Sequence, residues 1–311
     1  MLPFRLVYHE RYDLKLGEHV FPSRKYRWLR ERMLRTGFAE ESDFIAPEPI
    51  SEADLLLAHD AGWIGKLRDG TMSYSDILRL EIPYSRHMVE AFFLAAAGTT
   101  LAARLALEQG VCYNVGGGFH HAFAGHGEGF CAINDMAVAI RVLERDGAIR
   151  RAMVVDCDVH QGNGTASIFA QDSSVFTLSI HQFDNYPYEK PPSDLDIHLD
   201  GGAGDWEYLQ RLGDGLSEAL GRFSPELMIY VAGADPYLDD QLGGLDLTFQ
   251  GLEVRDRLVI GTALQRRIPV AIVLAGGYAN KVEDTIAIHA ATAAVARDLL
   301  RAHTARAVTV S

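Results

Sequence analysis

The fold of this chain is best predicted from one stretch, Arg151-Ala-Met-Val-Val-Asp-Cys-Asp-Val-His-Gln-Gly-Asn-Gly164. Its apolar part, Ala152–Val155, predicts a buried parallel strand, because apolar residues follow one another without polar alternation. The run ends abruptly in Asp156, Asp158 and His160 before glycines interrupt the backbone. Charged side chains therefore stand at the carboxyl end of a buried strand, which is where open α/β sheets bind their ligands.

Asp158 and His160 are spaced to act together. Side chains two residues apart in an extended segment project to the same side. Carboxylate oxygen and imidazole nitrogen both bind cations such as Zn²⁺, but two ligands from one segment make an incomplete site. The alternative is that the aspartates cap the next helical turn and that His160 is a loop histidine. A metal site therefore needs a third ligand from elsewhere in the chain.

Composition narrows the classes of partner and compartment. The chain has 311 residues, 48% of them hydrophobic, which suits one α/β domain spanning residues 1–311. The 29 Lys and Arg residues against 42 Asp and Glu give a net charge of −13, which disfavours nucleic acid or an anionic membrane as partner and suits a cationic substrate. Cys112, Cys131 and Cys157 have no paired spacing, so we expect neither a disulfide framework nor a thiolate zinc site. Without a leader pattern or an apolar run of about 18 residues, we expect an unprocessed cytoplasmic protein.

Predicted strands and helices alternate through most of the chain. The strands are Phe4–Tyr8, Val111–Val115, Ala152–Val155, Val175–Ile180, Leu195–Leu199, Leu227–Ala232 and Val270–Leu274. A capping box at Ser51–Asp54 opens a short helix. The other helices are Ser23–Arg35, Gly62–Arg68, Arg86–Glu108, Asn134–Glu144, Trp206–Leu220, Leu252–Leu264 and Glu283–Ala302. This alternation predicts an α/β fold with a mainly parallel sheet and helices on both faces.

Polar residues follow four of these strands directly. They are Gly116-Gly117-Gly118-Phe119-His120-His121, Asp156-Cys157-Asp158-Val159-His160, Gly233-Ala234-Asp235 and Ala275-Gly276-Gly277-Tyr278. Each has an ordinary interpretation on its own: a glycine loop, a surface histidine pair, a helix cap, a packed tyrosine. A phosphate loop is rejected because no Gly-Lys-Ser/Thr follows the glycines. The shared position at four strand ends favours one functional site.

With these residues in view, the chain resembles the zinc-dependent histone deacetylase superfamily, and within it the class IV branch. The resemblance rests on Asn114-Val-Gly-Gly-Gly-Phe-His-His121, Gly129-Phe-Cys131, Asp156-Cys-Asp-Val-His-Gln-Gly-Asn-Gly164, Ala232-Gly-Ala-Asp235, Leu242-Gly-Gly-Leu245 and Gly276-Gly-Tyr278. It implies a single-domain arginase/deacetylase-like fold. It also implies one zinc ion held by Asp158, His160 and Asp235, with water at an open position.

The resemblance also implies catalytic roles. His121 would act as general base and acid. His120 would pair with Asp156 as a charged, orienting neighbour. Tyr278 would donate its hydroxyl hydrogen to the substrate carbonyl.

Two further sites follow from the same resemblance. A structural potassium ion is expected at Asp156 and Ser179. A tunnel for the acyl-lysine side chain is expected between Gly129, Phe130, Tyr186 and Leu242.

The chain departs from the common family pattern at Asn163. Many members place Asp here, as the partner of His121. An amide can orient the ring, but it adds no negative charge to raise the imidazole pKa. Because the class IV pattern carries the same Asn, we interpret the change as tuning and not as inactivation.

A second departure concerns acyl length. Members specialised for acetyl groups commonly carry Trp where this chain has Val115 and Phe119, and three glycines lie between them. This predicts an enlarged pocket beneath the metal that accepts longer acyl chains. The alternative is that Phe123, Phe130 or a neighbouring helix fills the space.

The predicted function is zinc-dependent removal of acetyl or longer acyl groups from lysine side chains of a protein or peptide. An acetylpolyamine amidohydrolase shares the same residues and remains the main alternative. A two-metal ureohydrolase is disfavoured because it needs a carboxylate at position 162, which is Gly162. A catalytically inactive acyl-lysine binding module is disfavoured because it should have lost a metal ligand, the tyrosine or the paired histidines.

Overall fold

A parallel β-sheet forms the centre of the molecule in the computed structural model, which describes residues 1–310 and the side chains of residues 1–305. Its strands are β1 Leu6–Val7, β2 Phe44–Ile45, β3 Val111–Asn114, β4 Ala152–Asp156, β5 Val175–Gln182, β6 Leu195–Leu199, β7 Leu227–Val231 and β8 Val270–Val273. They lie in the order β2-β1-β3-β8-β7-β4-β5-β6, and every neighbouring pair is parallel. Every residue of β4, β7 and β8 is buried, as a parallel sheet covered on both faces requires.

Helices cover both faces of this sheet. They are α1 Lys25–Arg35, α2 Glu52–Leu55, α3 Ala61–Asp69, α4 Tyr74–Leu80, α5 Arg86–Gln109, α6 Asp135–Arg145, α7 Asn163–Phe169, α8 Asp205–Arg222, α9 Phe249–Gln265 and α10 Val282–Val310. On one face α5 packs against α6, β3 and β8. On the other α10 packs against α1, α9 and β3. The predicted α/β fold with helices on both faces is confirmed.

The bounds of the elements show where sequence patterns were weak. Most predicted strands differ by one or two residues from those observed, but the first shrinks from Phe4–Tyr8 to Leu6–Val7, the two residues in register with the neighbouring strands β2 and β3. The pattern missed β2, α4 and α7. The first has two residues and the others seven each, which is too short to show a hydrophobic period.

Helix α5 corrects the expectation that no apolar run reaches membrane-spanning length. It has 24 residues, and an 18-residue window within it has a mean hydropathy of 1.3. In the fold 67% of that window is buried. Its apolar surface packs on α6 and on the sheet, so the composition reflects a core helix covered by protein.

The four strands with polar residues behind them are neighbours. β3, β8, β7 and β4 lie side by side in the middle of the sheet. Because parallel strands present their carboxyl ends at one edge, the four loops converge there. The sheet therefore brings together residues that are more than 150 positions apart in the chain, such as His120 and Tyr278.

Candidate active site

Asp158, His160 and Asp235 form a buried cluster at this edge. The first two lie in the loop after β4, and the third lies in the loop after β7. Their ligand atoms all lie within 4.8 Å of one another. His160 Nδ1 is 3.0 Å from Asp158 Oδ1 and 3.5 Å from Asp235 Oδ2. The structure thus brings together the three predicted metal ligands.

The donor set fits a divalent cation. Asp235 Oδ1 accepts a hydrogen bond from the backbone N–H of Val159, whereas the buried Oδ2 has no hydrogen-bond partner among the residues that the structure describes. Burial and the adjacent Asp158 carboxylate raise the pKa of Asp235 to about 7. Two buried carboxylates this close are costly unless a cation compensates them, and two carboxylates with one imidazole are ligands that zinc accepts.

Gly162 leaves no room for a further ligand beside this cluster. A Cβ atom at this position would lie 2.5 Å from Asp156 Oδ2. A carboxylate there, as a second metal would need, would clash with the Asp156–His120 pair. The geometry therefore supports the exclusion of a two-metal ureohydrolase.

His120 and His121 lie side by side in the loop after β3. Their Nε2 atoms are 3.1 Å apart, and His120 Nδ1 lies 2.7 Å from Asp156 Oδ2. Burial lowers the pKa of His120, but the Asp156 and Asp158 carboxylates outweigh it and raise the value to about 9. Burial, His120 and His160 hold the pKa of His121 well below its ordinary value. The pKa values of the two neighbouring imidazoles are thus shifted in opposite directions, which is the pattern that acid–base chemistry uses.

Asn163 contacts the other nitrogen of His121. Its Oδ1 lies 2.7 Å from His121 Nδ1, and its Nδ2 donates a 2.7 Å hydrogen bond to Glu128 Oε1. Asn163 therefore lies where the resemblance places the partner of His121. On its other side Asn163 contacts the Glu128 carboxylate, which no sequence pattern indicated.

Tyr278 follows β8 and is held by contacts at its backbone and at its ring. Its backbone N–H donates to Asp240 Oδ2 at 2.6 Å, and its ring contacts those of Phe21 and Phe130 at centroid distances of 6.1 and 6.2 Å. Burial and the carboxylates of the metal cluster keep its pKa well above the ordinary value. The hydroxyl therefore remains protonated and can donate a hydrogen bond.

A narrow cavity of about 170 Å³ leads from the surface to these groups. Its walls include all four predicted tunnel residues. It is lined by Glu81, His121, Gly129, Phe130, His160, Asn185, Tyr186, Leu242 and Tyr278. Apolar and aromatic walls surround a polar floor, which suits an aliphatic chain that ends in an amide.

The pocket at the floor is small, so the predicted enlargement is not seen in this structure. Its volume is about 20 Å³, enough for roughly one water molecule. The space beside the glycine run is filled by Tyr12, since a Cβ on Gly116 would meet that ring at 2.8 Å. Phe21 and Phe92 close the rest by packing on Phe119 at centroid distances of 6.5 and 4.7 Å. The neighbours that fill the space thus come from the N-terminal segment and from α5, and not from Phe123.

The two residues of the predicted potassium site lie opposite each other on neighbouring strands. Asp156 of β4 is in register with Ser179 of β5, and both are buried. The Ser179 hydroxyl lies 2.9 Å from His181 Nδ1, and the Asp156 carboxylate contacts His120 and the backbone N–H of Asp158. The potassium assignment stays a prediction.

A family model described as a histone deacetylase domain matches residues 19–295. The chain belongs to the histone deacetylase family. This confirms the resemblance to the histone deacetylase superfamily, whereas the placement in the class IV branch stays a prediction. It makes the protein a deacetylase-type amide hydrolase of a family that is generally metal-dependent.

The chain is similar to individual proteins over most of its length. The deacetylase is 40% identical over 297 residues to an uncharacterized protein of Picosynechococcus sp., covering 95% of this chain and 99% of the relative. It is 31% identical over 299 residues to Histone deacetylase 2 of Arabidopsis thaliana, covering 91% and 76%. The solved structure of acetylpolyamine aminohydrolase from Burkholderia pseudomallei shares the fold, with a TM-score of 0.77, 21% identity and coverage of 95% and 99%.

Three residues of this deacetylase site were missed from sequence. Glu128 contacts Asn163, Asp240 holds the backbone of Tyr278, and Lys25 is fully buried with its Nζ donating to Ala275 O at 2.6 Å. Burial lowers the pKa of Lys25 to about 8 although the carboxylates of Asp235, Asp158 and Asp240 favour its charge. Only the position of Glu128 between Gly127 and Gly129, beside a predicted tunnel wall, was a usable signal.

Proposed function

We propose that this protein is a zinc-dependent deacetylase that removes acetyl groups from lysine side chains of a protein or peptide. One observation carries the proposal: the Asp158–His160–Asp235 cluster, the histidine pair and Tyr278 lie together at the floor of one narrow cavity. Hydrolysis of an amide needs an activated water, a stabilised oxyanion and a proton for the leaving amine. The residues at this floor can meet all three needs.

Asp158, His160 and Asp235 would hold the zinc ion. When bound, it supplies Lewis-acid polarisation of the amide carbonyl and of the attacking water. The Tyr278 hydroxyl donates a hydrogen bond to the carbonyl oxygen as negative charge builds up there.

The histidine pair moves the protons. Because the Asp156 carboxylate only accepts hydrogen bonds, His120 Nδ1 carries a hydrogen. His121 presents Nε2 without a hydrogen, accepts the proton of the attacking water there and returns it to the leaving lysine amine. Asn163 accepts from the opposite nitrogen of His121 and keeps the ring in this orientation.

The purified protein should behave differently if it is an enzyme than if it is an inactive binding module. As an enzyme, it should contain about one equivalent of zinc and turn over a fluorogenic acetyl-lysine peptide. A dipicolinate-treated sample should lose turnover and regain it with added zinc. Metal-loaded protein that binds the peptide but never releases acetate would overturn the proposal.

Acyl length gives a sharper test of the pocket. We expect kcat/KM on one lysine peptide to be highest for acetyl and to fall by about tenfold or more by butyryl, because forcing extra methylenes into a filled core costs about 1–3 kcal/mol. The measurement is a series from acetyl to myristoyl. A rise in efficiency with chain length would show that the Tyr12 and Phe21 rings move aside and that the predicted larger pocket exists.

Deacetylation of polyamines is the second candidate. The observation in its favour is negative charge, since Glu81 lines the mouth of the tunnel and the whole chain carries −13. Competition between an acetyl-lysine peptide and N-acetylspermidine in one reaction separates the two substrates. A higher kcat/KM on the polyamine would replace lysine as the substrate while leaving the chemistry unchanged.

A further inference from the structure

Glu128 occupies an unusual place beside the histidine pair. One of its carboxylate oxygens, Oε1, accepts a hydrogen bond from Asn163 Nδ2 at 2.7 Å and another from the Tyr186 hydroxyl at 2.9 Å. The other oxygen lies 3.5 Å from His126 Nε2. Burial raises the pKa of Glu128, but these three neighbours outweigh it and lower the value, so the group is a carboxylate at neutral pH.

A carboxylate in this position forces the orientation of the Asn163 amide. It can only accept hydrogen bonds, so the NH₂ group must face Glu128 and the carbonyl oxygen must face His121 Nδ1. That oxygen in turn requires a hydrogen on Nδ1, which leaves Nε2 of the neutral His121 ring without a hydrogen. A reversed amide would place its NH₂ against Nδ1 and favour the wrong tautomer.

Tyr186 gives Glu128 a second hold on the same imidazole. The Tyr186 ring stands edge-on to His121, with centroids 4.9 Å apart and an interplanar angle of 85°. Its hydroxyl is fixed by Glu128. The histidine thus contacts Asn163 at Nδ1 and the perpendicular ring of Tyr186, and both of these residues donate to the same Glu128 oxygen.

The backbone around Glu128 is itself constrained. Glu128 and Cys131 exchange two backbone hydrogen bonds of 3.0 and 2.8 Å across a tight turn, in which Gly129 and Phe130 both have positive φ. The Glu128 side chain is 21% exposed, on the wall of a cleft of about 550 Å³ beside the tunnel. A tight, hydrogen-bonded turn therefore presents the carboxylate to Asn163.

We propose that Glu128 is a positioning residue that sets the orientation of Asn163 and hence the tautomer of His121. The inference rests on the proposed role of His121 in hydrolysis. It predicts that the carboxylate at position 128 and the amide at position 163 can be exchanged.

Three variants test this exchange. Glu128→Gln should lower kcat about tenfold while leaving KM within about twofold, because the neutral amide no longer forces the orientation of Asn163. Asn163→Asp should also lose activity, because two carboxylates would then face each other and one must take up a proton. In the double variant, the carboxylate introduced at position 163 accepts from His121, while the amide introduced at position 128 donates to that carboxylate. The kcat should then recover to within about threefold of the unmodified enzyme.

Glu189→Gln is the matched control. Glu189 lies exposed on the wall of the same cleft, so its substitution removes one negative charge without touching Asn163 or Tyr186. Thermal unfolding of every variant separates a lost fold from a lost orientation. Equal kcat for Glu128→Gln and Glu189→Gln would overturn the proposal. A double variant whose kcat does not exceed that of the less active single variant would also overturn it.

A measurement without turnover separates this inference from the proposed function. In metal-free protein, ¹⁵N–¹H correlation spectra should show His121 with its hydrogen on Nδ1, assigned by comparison with His121→Gln, and Glu128→Gln should weaken that signal. An unchanged His121 tautomer in Glu128→Gln contradicts the positioning role even if the enzyme is active. Wild-type protein that hydrolyses no acetylated amine contradicts the proposed function, whatever the spectra show.

Discussion

We expect the Asp235→Asn variant to bind no stoichiometric metal and to hydrolyse no acetylated substrate, while keeping its fold. The Asn side chain can still accept the Val159 N–H bond through Oδ1. Its NH₂ group would replace Oδ2, the buried atom without a hydrogen-bond partner in the described structure. A donor aimed at the cluster cannot coordinate a cation, so one ligand of the set is removed with little other change.

Asp235 is a better test of the site than Asp158. Asp158 accepts backbone hydrogen bonds from His160 and Gly276, so its substitution would disturb two loops as well as the metal. Asp200→Asn, at an exposed position, is the control for the loss of one carboxylate. Metal content after dialysis and circular dichroism are the measurements. Full metal occupancy in Asp235→Asn would remove this residue from the ligand set.

The second large effect is expected at Tyr278. Tyr278→Phe should lower kcat by about 10²–10³-fold, because one oxyanion donor is typically worth that much. The Phe ring keeps the contacts with Phe21 and Phe130, and the backbone bond to Asp240 does not involve the hydroxyl. Metal content and thermal stability should therefore stay close to those of the unmodified protein.

Steady-state kinetics on the acetyl-lysine peptide measure this effect. Tyr74→Phe serves as the control, since Tyr74 is 76% exposed and lies outside the tunnel lining. A kcat for Tyr278→Phe equal to that of the control would exclude the hydroxyl from the reaction.

The position of the site was predictable because it depends on strand order alone. An apolar run that ends in glycine and polar residues predicts both a parallel strand and the direction in which its loop leaves the sheet. Four such runs, ending near His121, Asp158, Asp235 and Tyr278, were enough to place these groups at one edge. Local pattern therefore determines this part of the arrangement.

The partners of these residues were not predictable in the same way. Glu128, Lys25 and Tyr12 reach the site from loops and a helix with no strand pattern of their own, and their contacts span up to 250 positions, as between Lys25 and Ala275. Residue type alone does not distinguish a buried lysine on a basic helix from an exposed one. The predicted enlargement of the acyl pocket is not seen in the structure for this reason, because a ring from the distant N-terminal segment packs against the glycine run.

The position of the Tyr12 ring affects how the substrate range of the enzyme can change. Phe21 lines the pocket and the Tyr12 ring packs against the glycine run beside it, whereas every proposed metal ligand and proton donor belongs to the loops after β3, β4, β7 and β8. The depth of the pocket and its chemistry are thus encoded in separate stretches of the gene. A single exchange of Tyr12 or Phe21 for a small residue would open space for a longer chain without altering a reacting group, so acyl preference can diverge between relatives that keep an identical catalytic centre.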